Sequence, residues 1–342
     1  LPLDEPPIAP RLDAESSALI IYTSGTTGRP KGALLDHGNV LAQARGAIQA
    51  WRWTETDHLV HALPLFHVPG LAMGLTASLL TGCQMTMIGF EPGRVVAELE
   101  TGGTLFFGVP AMYQRLCDHL ETHPADLSRV RLFVSGSAPL PPELFHRCQR
   151  LLGQPPLERY GITEGGIVVS NPYEGPRRPG RVGYPFPGVE LRLGAGDEIQ
   201  LKGGQVFSGY WGNPTATAET FEDGWFKTGD LGEIGADGSL AIRGRIKELI
   251  ISGGFNVYPR EVEMVLEAHP GVAEVAVVGL PSESWGEEVT AFIVPAGEAP
   301  SAEELITFAQ ERLAKFKCPR SVRFLSELPR NAMGKVQRSL LK

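Results

Sequence analysis

The chain opens its legible pattern with a short apolar run, Ala18 to Tyr22 (ALIIY), rich in β-favouring residues and ending in a Ser/Thr/Gly cluster. That order predicts a strand followed by a loop. It recurs where Arg131 to Val134 runs into Ser135-Gly136-Ser137, and where Leu157 to Tyr160 runs into Gly161-Ile162-Thr163-Glu164. Helix-compatible stretches, Asn39 to Ala50 and Pro141 to Leu152, lie between such runs, so strands and helices alternate and a layered α/β architecture is expected. Loops at strand ends are where α/β proteins place their chemistry. From Pro187 to Arg245 the texture changes to short strands with turns such as Gly194-Ala195-Gly196-Asp197 and Asp237-Gly238, a β-rich subdomain. After Arg245 it changes again: Val262, Val265 and Leu266 take helical spacing behind Pro259, and Glu274 to Val278 reads as a strand. These shifts divide the chain into an N-terminal domain over 1–245, its β-rich part at about 187–245, and a small α+β domain over 246–342.

Length supports the division. At 342 residues the chain exceeds the roughly 250 to 300 at which single cores stop growing. With 42% hydrophobic and 20% charged residues it has the makings of an ordinary globular core. A formal net charge of −8 argues against the basic surface that nucleic-acid binding needs, so any anionic ligand must meet locally placed cations. Cys83, Cys117, Cys148 and Cys318 form no C-x-x-C pair, which points to reduced thiols. No run approaches the ~20 apolar residues of a membrane span, and the start has no signal-peptide pattern, so a cytoplasmic protein is expected. Residue 1 is Leu and four of the first ten residues are proline, which reads as a linker or truncation point.

The segment Tyr22-Thr23-Ser24-Gly25-Thr26-Thr27-Gly28-Arg29-Pro30-Lys31-Gly32 gathers hydroxyls, glycines and two cations directly after a strand. Glycines let backbone N–H groups approach phosphate oxygens, hydroxyls donate further bonds, and Lys31 offers a compact charge. It is not a Walker A motif, because Gly25 and Gly28 are too close and no Ser/Thr follows Lys31.

This string closely resembles the signature of the adenylate-forming superfamily of acyl-CoA synthetases, adenylation domains and luciferases. The similarity continues in order through Ser135-Gly136-Ser137-Ala138, Tyr160-Gly161-Ile162-Thr163-Glu164, Lys227-Thr228-Gly229-Asp230, Gly244-Arg245-Ile246-Lys247-Glu248, Gly253-Gly254-Phe255-Asn256 and Pro329-Arg330-Asn331-Ala332-Met333-Gly334-Lys335. It spans essentially the whole chain, although family members begin well upstream of the phosphate loop.

The resemblance implies ATP, Mg²⁺ and coenzyme A as the small molecules handled. It implies that Thr23, Ser24, Gly25, Thr26, Thr27, Gly28 and Lys31 hold phosphates, and that Tyr160 stacks on adenine beside Gly136, Ser137, Ala138 and Gly161. Thr163 would bond phosphate, Glu164 would hold Mg²⁺, and Asp230 with Arg245 would take the ribose hydroxyls. Lys335 would bridge the acid and the α-phosphate, where charge accumulates. Lys247 matches the family's hinge, about which the C-terminal domain would turn to bring Gly253 and Gly254 to the pantetheine channel.

The acid is read by a pocket that varies between members. Malonyl-CoA synthetases resemble this chain at Arg159, in Val134 to Leu140 (VSGSAPL), in Ser170 to Glu174 (SNPYE) and in the tail from Arg312 to Lys335. The resemblance implies that Arg159, Ser137 and His67 receive a distal carboxylate, for which a bidentate guanidinium is the natural partner. Pro69 interrupts the usual His-x-His-Gly pattern, and Gly165-Gly166 replace bulkier residues, which implies a wider pocket. Malonate, methylmalonate or another short dicarboxylate is the expected substrate. A fatty or aryl acid is the runner-up, and a catalytically inactive nucleotide-binding remnant or a carrier-protein-loading domain are readings of other classes.

Overall fold

The computed structural model describes residues 12–23, 30–330 and 336–342. Its centre is a seven-stranded sheet in the spatial order Gln84–Met87, His58–His61, Leu105–Gly108, Leu132–Ser135, Leu157–Ile162, Gly166–Ser170 and Tyr184–Pro185. The first five run parallel and the last two are added antiparallel. Parallel strands require both faces to be covered, and their continuous apolar composition allows it. Val60, Phe106 and Phe133 pack on one side against helices Pro92–Thr101, Pro110–Thr122 and Pro142–Leu151. Their strand neighbours Leu59, Leu105, Phe107, Leu132, Val134 and Leu157 face the other side, under helices His37–Ala50 and Thr76–Thr81 and the wider helical turn Pro69–Leu75. Three α/β layers result, as the alternation of strand and helix patterns predicts.

The first strand departs from that alternation. Ser17–Thr23 pairs antiparallel with Lys31–Asp36, with Thr23 opposite Lys31, and Gly209–Tyr210 completes a separate three-stranded sheet. A short apolar run followed by glycines fits a hairpin as well as a β-α unit, and the run alone does not choose between them. The helix behind it begins at Asp36, whose side chain accepts from Asn39 N while Asn39 Oδ1 accepts from Asp36 N. The Asn39 amide donates at 2.9 Å to the carbonyls of Gly204 and Val206, fixing the helix to the β-rich part.

That β-rich part is a five-stranded antiparallel sheet built from Val189–Leu193, Glu198–Gly203, Phe221–Glu222, Trp225–Ile234 and Leu240–Arg245. Between it and the central sheet lies a third core containing Ile21, Tyr160, Val169, Leu201, Phe207 and Phe226. Strands after Arg245 form a sheet of their own, Phe255–Val257, Ile250–Ser252, Gly286–Pro295 and Val272–Ser282, with Ser321–Phe324 parallel to Gly286–Pro295. Helices Pro259–Glu267 and Ala302–Gln310 share its core of Val262, Leu266, Val277, Ala291 and Leu305. A partly buried ion cluster closes it: Arg338 meets Glu263 at 2.7 Å and Glu248 at 3.1 Å, and Arg260 meets Glu267 at 2.6 Å. Among the described residues no helix is long and apolar enough to cross a membrane.

Candidate active site

The C-terminal ends of the parallel strands converge with the β-rich sheet, and most candidate residues meet there. Tyr160 is buried on the strand Leu157–Ile162, and its hydroxyl donates to Asp230 Oδ2 at 2.7 Å. Arg245 Nε holds the other Asp230 oxygen at 2.8 Å, because Asp230 and Arg245 are direct partners across neighbouring strands. Burial, reinforced by the Asp230 charge, pushes the Tyr160 phenol well above its usual range, so it stays a donor. Asp230 thus presents a buried carboxylate with one arm on a cation and one on a phenol, an arrangement that can exchange the phenol for ligand hydroxyls.

Glu164 sits in the turn joining Leu157–Ile162 to Gly166–Ser170 and is buried. It accepts from Tyr210 Oη at 2.9 Å and from Thr23 Oγ1 at 3.4 Å. Lys31 Nζ lies 5.0 Å from the centre of the Tyr210 ring, a cation–π contact to the same tyrosine whose hydroxyl donates to Glu164. Thr163 occupies the same turn. Lys247 faces the group from the short turn after Arg245; loss of hydration and then the charges of Arg245 and Lys31 hold its ammonium below the ordinary lysine range. Among the described residues no three His, Cys, Asp or Glu side chains gather into a metal cage. Mg²⁺ fits nonetheless through Glu164, since this ion commonly takes one or two carboxylates and completes its shell with substrate phosphates and water.

On the other side of the strand lies Arg159. It is 6% exposed, and among the described residues its guanidinium meets no carboxylate; Nη2 donates to Ser137 Oγ at 3.2 Å. Burial pushes it down to about 10. Gly136 is the residue that lets it lie there, because an added Cβ would sit 2.3 Å from Arg159 Nε. Ser137 takes a left-handed backbone with φ of 69°, which turns its hydroxyl toward Arg159, while Ala138 beside it is exposed. His67 has a buried Nε2 without a hydrogen-bond partner among the described residues, and burial pushes its imidazole down. Pro69 starts the helical turn behind His67, at a position where its missing N–H costs nothing.

Two candidate groups lie elsewhere. Gly253 and Gly254 form the turn between Ile250–Ser252 and Phe255–Val257, where Gly253 N donates to Trp285 O at 2.9 Å. Ser24, Gly25, Thr26, Thr27, Gly28 and Lys335 lie outside the described residues. Sequence reasoning missed Tyr210, which holds Glu164, and Glu158, whose Oε1 accepts from Leu140 N at 3.0 Å and so ties down the segment carrying Ser137. Neither belongs to a recognisable string; both act through space.

Comparison with known proteins follows the same outline. Residues 2–211 match the model of the AMP-binding enzyme family, and residues 261–335 match the AMP-binding enzyme C-terminal domain. The chain belongs to the AMP-binding enzymes. It is 38% identical to a malonate–CoA ligase of Arabidopsis thaliana over 96% of its own length and 60% of that protein. It is also 38% identical to a feruloyl-CoA synthase of Amycolatopsis, covering 97% of this chain and 70% of that protein. The ATP-bound crystal structure of MatB from Rhodopseudomonas palustris superposes with a TM-score of 0.90 at 42% identity, over 96% of this chain and 68% of that one. The AMP-binding enzymes it resembles are therefore longer: the chain spans about three-fifths to seven-tenths of these relatives.

Proposed function

We propose that the protein activates a short dicarboxylic acid, malonate or methylmalonate, with ATP as an acyl-adenylate and passes the acyl group to coenzyme A. The observation that carries this reading is Arg159, a buried guanidinium whose described partners include no counter-carboxylate. Leaving a buried cation unpaired is expensive, and a second carboxylate on the substrate would repay it. Ser137 then supplies a hydroxyl beside that carboxylate, and His67 a further polar atom. The malonate–CoA ligase relative and the ATP-bound structural neighbour support the same assignment.

In this reading Asp230 and Arg245 hold the ribose, with the Tyr160 ring against the base. Lys31 and Thr23 stand at the phosphates. Glu164 would hold Mg²⁺, which neutralises phosphate charge when bound. Glu164 is kept ready for it by Tyr210 and Thr23, whose hydroxyls fix its orientation. Lys247 at the turn after Arg245 is the hinge, and Lys335 the group that steadies negative charge between acid and α-phosphate. Gly253 and Gly254 would line the coenzyme A channel after the C-terminal part turns.

The test is pyrophosphate release by the full-length protein with ATP and Mg²⁺ across malonate, methylmalonate, succinate, hexanoate, palmitate, benzoate and ferulate, with and without coenzyme A. Coenzyme-A-dependent turnover preferring malonate or methylmalonate is expected. Preference for a monocarboxylate such as ferulate would keep the ligase chemistry and remove the assigned role of Arg159; silence on every acid would overturn the whole reading.

A further inference from the structure

The chain on either side of residues 331–335 is firmly held. Arg330 and Val336 form an antiparallel bridge, and Gln337 N donates to Pro329 O at 2.8 Å, so the two flanks lie side by side. Behind them Leu341 is buried with Leu328, Ala276, Val278 and Phe292 in a small core of the C-terminal part. These contacts are those of an ordinary tail docked on a sheet.

Arg338 adds a contact of another kind. It opens the helical turn Arg338–Leu340, three residues after Lys335 in sequence, and its guanidinium spans two carboxylates. Nη2 donates to Glu263 Oε1 at 2.7 Å, and Nη1 lies 3.1 Å from Glu248 Oε2. The Glu263 side chain is 3% exposed and its Oε1 also accepts from Val277 N at 2.9 Å, so this arm of the fork is anchored between the helix Pro259–Glu267 and the strand Val272–Ser282. Glu248 ends the turn Ile246–Glu248, directly after Lys247, so the other arm reaches the hinge. Burial of Glu263 explains the first arm. The Glu248 side chain is 30% exposed, where an ion pair adds little to stability, and the second arm asks for a different reason.

We propose that Arg338 is a positioning residue for adenylation: by gripping Glu248 and Glu263 at once it ties the segment carrying Lys335 to the turning end of the hinge. Rotation about Lys247 then delivers the Lys335 ammonium to one place. This rests on the ligase reading above, in which Lys335 steadies charge between acid and α-phosphate. A planar guanidinium serves two carboxylates at a fixed angle, whereas an ammonium on a flexible stem is a single point charge. The Gly253-Gly254 turn does not depend on the fork, since Gly253 N donates to Trp285 O and the flanking strands pair with each other. Loss of the fork therefore falls on the half-reaction that uses Lys335 and spares the one that uses the glycine turn.

The experiment takes the full-length protein with the acid it turns over best and measures the half-reactions apart: acid-dependent exchange of labelled pyrophosphate into ATP, and coenzyme A thioester formation from preformed acyl-adenylate. Arg338→Lys keeps a cation for buried Glu263 but loses the fork, and Glu248→Ala removes the hinge arm alone. Both variants should lower kcat for exchange by about 10- to 100-fold, the cost of a small misplacement at the reacting centre, with KM for ATP and acid little changed. Thioester formation and Tm should stay near wild type. Wild-type exchange in the folded variants overturns the inference and leaves the ligase reading intact, as does an equal loss in both half-reactions, which would make the fork a matter of stability alone. Should Arg338→Lys fail to fold, Glu248→Ala decides by the same two readouts. A wild type that exchanges pyrophosphate with no acid overturns the ligase reading and the inference together.

Discussion

The two ends of the parallel strands each hold an arginine, half-buried Arg131 at one and buried Arg159 at the other, and they treat it in opposite ways. At the N-terminal edge Arg131 meets Asp57 through Nε at 2.7 Å and Nη2 at 2.6 Å, and donates to the carbonyls of Trp51 and Arg52 at 3.0 and 3.1 Å. Asp57 in turn accepts from Thr104 Oγ1 and Thr54 N, each at 2.8 Å. At the C-terminal edge Arg159 has Ser137 at 3.2 Å. Saturated geometry makes the first arginine a part of the scaffold. Withheld geometry makes the second a receptor, because the same guanidinium chemistry left incomplete favours whatever anion completes it.

The strongest way to break this contrast is Arg131→Ala. It leaves the Asp57 carboxylate buried without its cation and should cost about 3 to 5 kcal/mol of unfolding free energy in denaturant titration, with acid preference unchanged. A loss below about 1 kcal/mol would mean that the N-terminal edge is no scaffold. Next, Arg159→Ala should cost about 1.5 to 3 kcal/mol in kcat/KM with a dicarboxylate and little with a monocarboxylate, while leaving Tm unchanged or higher. Equal losses on both kinds of acid would remove its role as a carboxylate reader.

The smallest effect concerns Glu158, the residue just before Arg159: an acid, not a base, with one carboxylate oxygen on Leu140 N and the other without a partner among the described residues. Burial raises its carboxyl to about 7, against which the Leu140 N–H and the Arg260 charge work in the opposite direction. A carboxyl whose folded pKa lies above its unfolded value contributes stability below about pH 4.3 and loses it as pH rises toward 7. Glu158→Gln keeps an acceptor for Leu140 N and should remove this decline, a relative gain on the order of 1 kcal/mol at pH 8 in pH-dependent unfolding. Parallel stability curves for wild type and variant from pH 4 to 8 would rule out a titrating Glu158.

How much of this the sequence discloses depends on whether a residue's role is local. Strand-then-glycine patterns announced Leu132–Ser135 and Leu157–Ile162, and ordered strings brought forward Tyr160, Glu164, Asp230 and Arg245, which the fold gathers in one place. The hairpin of Ser17–Thr23 escaped because pairing is a property of two strands. The burial of Gln43 on the helix His37–Ala50 escaped for a sharper reason: on an amphipathic helix a glutamine reads as solvent-facing, and its burial is visible only once Gly166 is known to make room for its amide. Glu158 precedes Arg159 and was overshadowed by it, although its link to Leu140 spans 18 residues of chain.

The strand Leu157–Ile162 gives neighbouring residues to different layers: Leu157 and Arg159 lie toward the helix His37–Ala50, and Tyr160 lies in the core shared with the β-rich sheet. If Arg159 reads the acid and Tyr160 the nucleotide, the two recognitions are written in alternate letters of one word. A substitution at 159 then rewrites the acid while leaving the nucleotide untouched, whereas a single inserted residue would exchange the two meanings and ruin both. Diversification of acid choice on this scaffold should therefore proceed by replacement within the strand, with its length held fixed.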